Sequence, residues 1–280
     1  MGRVIPSVLL VLAAVAVLAE SPALAQQGMA RYVRYSYQDR TSYGQLDGET
    51  VRELEGDLFG ARRLSGRTAR LADVRLLAPC EPRKVIAVGL NYRSHLGTRP
   101  AAAYPGLFAK YPTSIVGTGA DIVMPPDASD LHYEGELVIV IGRTARNVSA
   151  ADAPAYIFGV TAGNDVSERA WQRDDLQWFR AKASDTFGPL GPAIATGLNY
   201  NDLLLQTRVN GEVRQTERTK DLIFDIPTIV SYVSRYVTLQ PGDVIYTGTP
   251  QSTRAMKPGD VVEVEVEGVG VLRNTVVAGK

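Results

Sequence analysis

The sequence predicts an α+β protein that is predominantly β. Two apolar runs, 137–141 and 156–162, have the length of buried strands. The segment 209–212 contains an Asn-Gly pair, which is typical of a tight hairpin turn. Helix signals are fewer. The clearest covers 226–236, where apolar residues recur at helical spacing after Asp225, a residue suited to cap a helix.

The elements before residue 80 predict a small β-rich N-terminal domain, residues 30–78. Its segments are short, alternate between polar and apolar residues, and include an Asp47-Gly48 hairpin signal. Prolines then interrupt the pattern, and a strand at 84–88 begins a second domain, residues 83–278. We expect this second domain to carry the chemistry.

Three later features complete the predicted elements. Ser167 can cap a helix that reaches about Phe179. The segments 240–243 and 257–260 repeat a Pro-Gly pair at the centre of a turn, and each precedes a strand. The loop that starts at Thr247 lies between these two turns.

The composition excludes several classes of function. The 280 residues contain 30 Lys plus Arg and 30 Asp plus Glu, so no overall charge favours nucleic acid. One cysteine and two histidines exclude an internal disulfide framework, a cysteine-rich metal site and a three-histidine metal site. Any bound metal must therefore be held mainly by carboxylates.

The first 25 residues predict a secretory signal peptide. Arg3 precedes an unbroken apolar run of 12 residues at 8–19, and a small-x-small cleavage signature follows at 23–25. The run is short for a membrane-spanning helix, so we expect export to the periplasm without stable membrane insertion after signal removal. The alternatives are a membrane anchor and a true start at Met29, which would leave the protein in the cytoplasm.

Three acids are candidate metal ligands. His132, Glu134 and Glu136 alternate along one predicted strand, so their side chains share a face. Asp165 follows the strand at 156–162. Three carboxylates suit a hard cation, with Mg²⁺ first and Mn²⁺ or Ca²⁺ as alternatives. The competing interpretation is a solvated strand face.

A proton-transfer group is also present. His95 ends the polar cluster 89–95 after a buried strand, and it is a candidate general base or an ordinary surface histidine. Lys110 and Lys182 are candidates to stabilise an enolate oxygen, or are solvated lysines. No serine-hydrolase elbow, Walker loop or dinucleotide fingerprint occurs, which disfavours those enzyme classes.

Together these motifs resemble the fumarylacetoacetate hydrolase family. Five segments occur in the family's order: 89–95, 132–137, 163–167, Lys182 with 185–192, and 247–250. The resemblance covers about 84–277, and 30–78 resembles the small N-terminal unit of bacterial members. It implies a mixed β-roll and β-sandwich catalytic domain, usually a homodimer, that acts on 2-oxo or 2,4-dioxo acids with Mg²⁺ or Mn²⁺.

The resemblance also implies roles for individual residues. Glu134, Glu136 and Asp165 would be the metal ligands. Lys182 would stabilise the enolate oxygen, and His95 would activate water or move the proton.

Substrate contacts follow from the same resemblance. Thr249 and its neighbouring backbone would hold the substrate carboxylate, while Arg93 and Lys110 are further candidates for substrate binding. Two departures stand out. Relatives that hydrolyse or decarboxylate usually have a glutamate three residues after the histidine, and here that position is Thr98. The usual glycine-rich segment is replaced at 251–254, which brings in Arg254 as a candidate clamp for a second carboxylate or as a solvated arginine.

The leading hypothesis is an exported, divalent-metal-dependent hydrolase that cleaves a C–C bond in a 2,4-dioxo acid through an enolate. The alternative is an isomerase or decarboxylase of a 2-oxo or 2-hydroxy-dienoate dicarboxylate. A third hypothesis is a binding protein for 2-oxo acids that lacks turnover. Because one enolate serves all these reactions, the site residues alone do not choose among them.

Overall fold

The computed structural model describes Met1 and residues 28–280. The predicted signal peptide, 1–25, therefore lies outside the described residues apart from Met1. Within the described part of the chain, no helix is both long and apolar enough to span a membrane.

Strands dominate the described residues, which confirms the predicted fold class. In chain order the strands are β1 (Ala30–Tyr37), β2 (Arg40–Asp47), β3 (Thr50–Gly56), β4 (Arg62–Arg70), β5 (Arg75–Leu76), β6 (Val85–Gly89), β7 (Gly106–Lys110), β8 (Ile115–Val116), β9 (Asp121–Met124), β10 (Leu131–His132), β11 (Gly135–Ile141), β12 (Ile157–Asn164), β13 (Ser167–Glu168), β14 (Gly188–Thr196), β15 (Leu204–Val209), β16 (Glu212–Arg218), β17 (Val244–Tyr246), β18 (Val261–Val266) and β19 (Gly270–Ala278). The α-helices are α1 (Arg93–Leu96), α2 (Arg169–Asp174), α3 (Phe179–Ala183) and α4 (Ile226–Tyr236).

The strands form two main sheets. The larger has the order β4-β3-β2-β1-β14-β12-β11-β17-β6-β7, with β5 beside β1 and β8 beside β14. The smaller has the order β16-β15-β18-β19-β9, and β10 pairs separately with β13. Strand β1 runs antiparallel to β14, with Tyr32 opposite Ile194. The N-terminal strands therefore extend the sheet that contains β11 and β12.

Strand β11 lies at the centre of the core. Leu137 and Ile139 pack in a cluster with residues of β15, β18 and α4, while Val138 and Val140 pack in a second cluster with residues of β6 and β17. Both faces of β11 are buried, and this explains why its sequence is continuously apolar. The core thus fixes the position of the acidic residues at the start of this strand.

The predicted turns and the helix at 226–236 are confirmed. Asn210 and Gly211 both have positive φ, at 53° and 80°, in the hairpin between β15 and β16. Gly242 has a φ of 85° in the turn that precedes β17. The side chain of Asp225 caps α4 by accepting a hydrogen bond of 2.9 Å from the Thr228 N–H.

The predicted helix from Ser167 to about Phe179 is wrong in its start and its continuity. Ser167 belongs to β13, and the N-cap of α2 is the buried Glu168, whose carboxylate accepts from the Trp171 N–H at 2.6 Å. The helix ends where the Asp175 N–H bonds to the Trp171 carbonyl, so α2 and α3 are separate. Residues 175–178 separate the two helices.

Candidate active site

A cavity of about 610 Å³ lies at the end of the larger sheet where β11 begins. It is bounded by α1, α2, α3 and the loop 247–254 that follows β17. Seven of the residues singled out in the sequence line it: His95, His132, Glu134, Glu136, Asp165, Lys182 and Thr249.

The pairing of β11 with β12 brings three carboxylates together. In the antiparallel register Gly135 lies opposite Asn164, so Glu134 precedes β11 at the level where Asp165 follows β12. The Asp165 N–H donates to the Glu134 carbonyl at 2.8 Å, which holds the two backbones together. One carboxylate oxygen from each of Glu134, Glu136 and Asp165 lies within 4.8 Å of the others, and all three residues are buried. We call these residues the acidic triad.

Three cations surround the acidic triad. Lys182 Nζ lies 2.5 Å from Glu134 Oε2 and 2.6 Å from Asp165 Oδ2. Lys110 Nζ lies 2.6 Å from Asp165 Oδ1, and Arg169 donates to Glu134 Oε1. We call Lys110, Lys182 and Arg169 the cationic trio. They come from β7, α3 and α2, so the packing of three elements supplies the positive charge.

The pKa values of these groups reflect burial opposed by ion pairing. Burial raises the pKa of Glu134, but Lys182 and Arg169 outweigh it and hold that pKa below its usual value. Burial lowers the pKa of Lys110 even though Asp165 opposes the shift. Burial also acts on Lys182, yet Asp165 and Glu134 leave its pKa above the ordinary lysine value.

Glu136 differs from the other two carboxylates. Among the described residues it has no ion-pair partner, and its Oε2 accepts a hydrogen bond of 2.7 Å from the Gly248 N–H. Burial raises its pKa well above the usual value, and the charges of Asp165 and Glu134 raise it further. A buried carboxylate without a cation favours binding of one. Three oxygen donors within reach of one another fit a divalent hard cation such as Mg²⁺.

His95 lies on α1 with its two ring nitrogens in different surroundings. Its Nδ1 contacts the backbone carbonyl of Gln251, which can only accept a hydrogen bond. Nδ1 therefore donates, and in the neutral ring Nε2 carries the lone pair. Nε2 lies on the cavity side, 3.8 Å from Glu134 Oε1. This arrangement suits a base that accepts a proton from a bound molecule.

The predicted substrate contacts are less well placed. Arg93 is exposed and does not line the cavity, and Lys110 is buried behind Asp165, outside the lining. Arg254 is also exposed and absent from the lining. Thr249 lines the cavity, but its hydroxyl donates to the Gly135 carbonyl at 2.8 Å. These placements do not support direct substrate contacts by Arg93 and Lys110. Arg93 is exposed to solvent, and Lys110 is paired with Asp165 of the acidic triad.

His132 is held by its neighbours on both sides of the ring. Its Nε2 lies 2.9 Å from Asp130 Oδ1, and its Nδ1 lies 2.8 Å from Thr253 Oγ1. Burial lowers its pKa, although Asp130 opposes the shift. With both nitrogens engaged, His132 links the strand β10 to the loop 247–254 and is not a free metal ligand.

The sequence reasoning missed several residues of the cavity. Arg169 and Gln172 are three residues apart on α2, close after Asp165, and this helical spacing is a signal that could have found them. Arg99 follows α1 and lines the cavity, but nothing in its local sequence marks it. The sequence marks Gln251 only as part of a segment that departs from the family pattern.

We predict that Glu136→Gln weakens binding of Mn²⁺ by more than about tenfold, because an amide oxygen lacks the charge that a divalent cation requires. Titration calorimetry on the full chain measures this affinity. Glu49→Gln, an exposed acid on the N-terminal hairpin, is the matched control and leaves it unchanged. Equal Mn²⁺ affinity in Glu136→Gln and the native chain would contradict the assignment of the acidic triad.

Comparison with known proteins places these observations in a family. The family model "Fumarylacetoacetate (FAA) hydrolase C-terminal" matches residues 84–277, and "Rv2993c-like, N-terminal" matches 30–79. Protein Rv2993c of Mycobacterium tuberculosis is 46% identical over 260 residues, which cover 88% of this chain and 98% of that protein. The structure of 2-hydroxyhepta-2,4-diene-1,7-dioate isomerase from Mycobacterium marinum is 45% identical, with a TM-score of 0.84 over 90% of this chain and 100% of that one. Human oxaloacetate tautomerase FAHD2A, mitochondrial, is 40% identical over 221 residues, which cover 74% of this chain and 70% of that protein.

The comparisons correct the predicted location and confirm the resemblance. The human relative is named as a mitochondrial protein, which contradicts a periplasmic location, so the prediction of export is wrong. The fold expected from the resemblance is confirmed by the M. marinum structure. The chain belongs to the fumarylacetoacetate hydrolase family.

Proposed function

We propose that the protein is a divalent-metal-dependent isomerase or tautomerase of a dicarboxylic 2-oxo acid, in place of the C–C hydrolase that led the sequence hypotheses. The observation that carries this proposal is the setting of His95. Its Nδ1 is held by the Gln251 carbonyl, and position 98, where relatives that hydrolyse usually have a glutamate, is Thr98.

A histidine backed by a carboxylate and a histidine backed by a backbone carbonyl differ in the reactions that they favour. A carboxylate behind the ring stabilises the imidazolium that forms when water is deprotonated for attack. A backbone carbonyl orients the ring but adds no negative charge. A 2-oxo group makes the protons on the neighbouring carbon acidic, so a weaker base can remove one of them. The setting of His95 therefore favours proton transfer on the substrate over activation of water.

The relatives support this choice. The M. marinum protein is named an isomerase of a heptadiene-dioate, and the human protein is named a tautomerase of oxaloacetate. Both names describe dicarboxylic acids, and both name an isomerisation and not the cleavage of a C–C bond.

The residues of the cavity have distinct tasks in such a reaction. The acidic triad would hold a divalent cation, which would act there as a Lewis acid on a 2-oxo acid. The Nζ of Lys182 adds positive charge beside the oxygen on which enolate charge develops. The Nε2 of His95 takes a proton from the carbon next to the 2-oxo group, which leaves an enolate. The protonated ring then returns the proton to the enolate oxygen in a tautomerisation, or to another carbon of the enolate in an isomerisation. Phe108 and Trp178 pack edge to face, with ring centroids 5.4 Å apart, and form an apolar part of the cavity wall.

The charges of the site favour a dianionic substrate. The acidic triad is matched in number by the cationic trio, so a bound divalent cation leaves the site with excess positive charge. A further cation, Arg99, lines the cavity, and its guanidinium bonds only to backbone, the Leu96 carbonyl at 3.1 Å and the His95 carbonyl at 3.5 Å. Within residues 28–280 no carboxylate pairs with Arg99. Its charge is available to a second substrate carboxylate.

The homodimer stays a prediction of the resemblance, because only one chain is described. Tyr111, which follows the edge strand β7, and Phe179 are exposed apolar side chains that pack edge to face, and this surface is our candidate for the interface.

The proposed function is tested with two substrates in parallel. The full chain with Mg²⁺ is incubated with oxaloacetate in D₂O, and deuterium entry at its methylene carbon is followed by proton NMR against a blank. Pyruvate release from acetylpyruvate and from oxaloacetate is measured in the same buffer. We expect exchange well above the blank with little pyruvate from either acid, and Glu136→Gln reduces the exchange to the blank. Pyruvate release faster than exchange, or turnover of neither acid, would refute the proposal.

We predict that Arg99→Ala raises the KM for oxaloacetate by about tenfold or more, because a charge-assisted hydrogen bond to a carboxylate is lost. Deuterium exchange into pyruvate, which has one carboxylate, is expected to change less than twofold by comparison. Arg93→Ala is the matched control, since Arg93 is exposed on the neighbouring helix and lies outside the cavity. If both acids respond equally to Arg99→Ala, Arg99 does not recognise the second carboxylate.

A further inference from the structure

We infer that Ser94 and Gln251 form a clamp that sets the tautomer of His95, in place of a carboxylate at position 98. The inference rests on the proposed function, in which Nε2 of His95 carries the proton. Neither Ser94 nor Gln251 touches the reacting atoms in this account. Both are positioning residues that act through the imidazole ring.

Gln251 is held in an unfavourable backbone conformation. Its φ is 54°, in the left-handed region that costs a residue with a Cβ roughly 1 kcal/mol or more. Such a conformation persists only when the surroundings determine it. The residue lies in the loop 247–254 beside the cavity, and its carbonyl oxygen meets His95 Nδ1.

Three contacts from other elements hold Gln251. Its N–H donates to Ser94 Oγ at 3.0 Å, its side-chain Oε1 accepts from the Thr216 N–H at 3.0 Å, and its carbonyl accepts from His95. Ser94 and His95 are adjacent on α1, and Thr216 is on β16. The contacts to Ser94 and His95 tie the loop to α1 at two points, so the carbonyl keeps a constant position relative to the ring.

The direction of each bond in the clamp follows from chemistry. Ser94 Oγ also contacts Glu217 Oε2, and a carboxylate can only accept a hydrogen bond. The Ser94 proton therefore goes to Glu217, and the oxygen lone pair is left for the Gln251 N–H. The peptide of Gln251 is fixed, and its carbonyl is presented to Nδ1 of His95.

The consequence for His95 is one tautomer. While Nδ1 donates to the carbonyl, the neutral ring has no proton on Nε2, the nitrogen on the cavity side. Loss of the clamp frees the carbonyl to move, and the ring then populates the form with the proton on Nε2. That form cannot accept a proton from substrate, so the active fraction of the enzyme falls.

The inference is tested by the NMR spectrum of His95 in the metal-free full chain labelled with ¹⁵N. The chain has two histidines, so a His132→Gln variant assigns both rings. At a pH where the ring is neutral, we expect proton-to-nitrogen correlations of the native chain to report protonation at Nδ1 alone. Ser94→Ala is expected to give a mixture of tautomers, and Ser94→Thr, which keeps a hydroxyl, is expected to keep the native form.

The values of kcat and KM for the Ser94 variants distinguish a positioning role from a general loss of structure. With Mg²⁺ and oxaloacetate, Ser94→Ala lowers kcat by about tenfold with little change in KM, and Ser94→Thr restores kcat. Thr98→Ala, an exposed residue after the same helix, is the control and leaves the tautomer unchanged. A native ring protonated at Nε2, or an unchanged tautomer in Ser94→Ala, overturns the clamp. Because the spectrum needs neither metal nor turnover, a confirmed clamp without tautomerase activity would refute the proposed function alone.

Discussion

The site depends on one electrostatic constraint, which is that three carboxylates at the buried start of β11 must be compensated. An unpaired ion in such surroundings costs several kcal/mol. Lys110, Lys182 and Arg169 compensate Glu134 and Asp165 from three different elements, which leaves Glu136 for a bound cation to compensate. The end of β7, the separate helix α3 and the short helix α2 all converge on this point.

The same balance explains how the site is suited to its proposed substrate. Without a divalent cation, the cationic trio pairs with Glu134 and Asp165, and Glu136 is the carboxylate left without an ion-pair partner. A bound cation makes the site positive overall. Because the net charge of the whole chain is zero, attraction of an anion has to come from this local excess and from Arg99. A dicarboxylic 2-oxo acid fits that distribution of charge.

Much of the fold was predictable because its signals are local. The buried run of β11, the Asn210-Gly211 hairpin and the capped helix α4 each follow from spacing and turn chemistry within a few residues. The acidic triad was predictable for a related reason: Glu134 and Glu136 lie two residues apart at the start of β11, and Asp165 directly follows β12, its neighbour in the larger sheet. The single strand expected to include His132 is instead two strands, β10 and β11. The joining of the N-terminal strands to β14 was not predictable, since no local pattern reports which edge a strand will pair with.

The contacts that hold His95 were not predictable, because they join distant parts of the chain. Gln251 meets His95 across 156 positions, and the sequence marked it only as an unusual loop residue. The hydrolase hypothesis followed from the family resemblance, yet Thr98 already pointed toward weaker activation of water. The structure adds how the ring is held without that glutamate. Arg93 and Arg254 lie outside the cavity lining, which shows that a charged residue inside or beside a motif need not face the cavity.

A divalent cation that joins the acidic triad and the cationic trio is expected to turn the cavity into an anion-binding site. The most direct measurement is calorimetric binding of oxalate, a planar dianion, to the full chain with and without Mg²⁺, corrected for the Mg²⁺ that oxalate binds in solution. We expect Mg²⁺ to tighten oxalate binding by at least about tenfold. Equal affinity in the metal-free protein would contradict it.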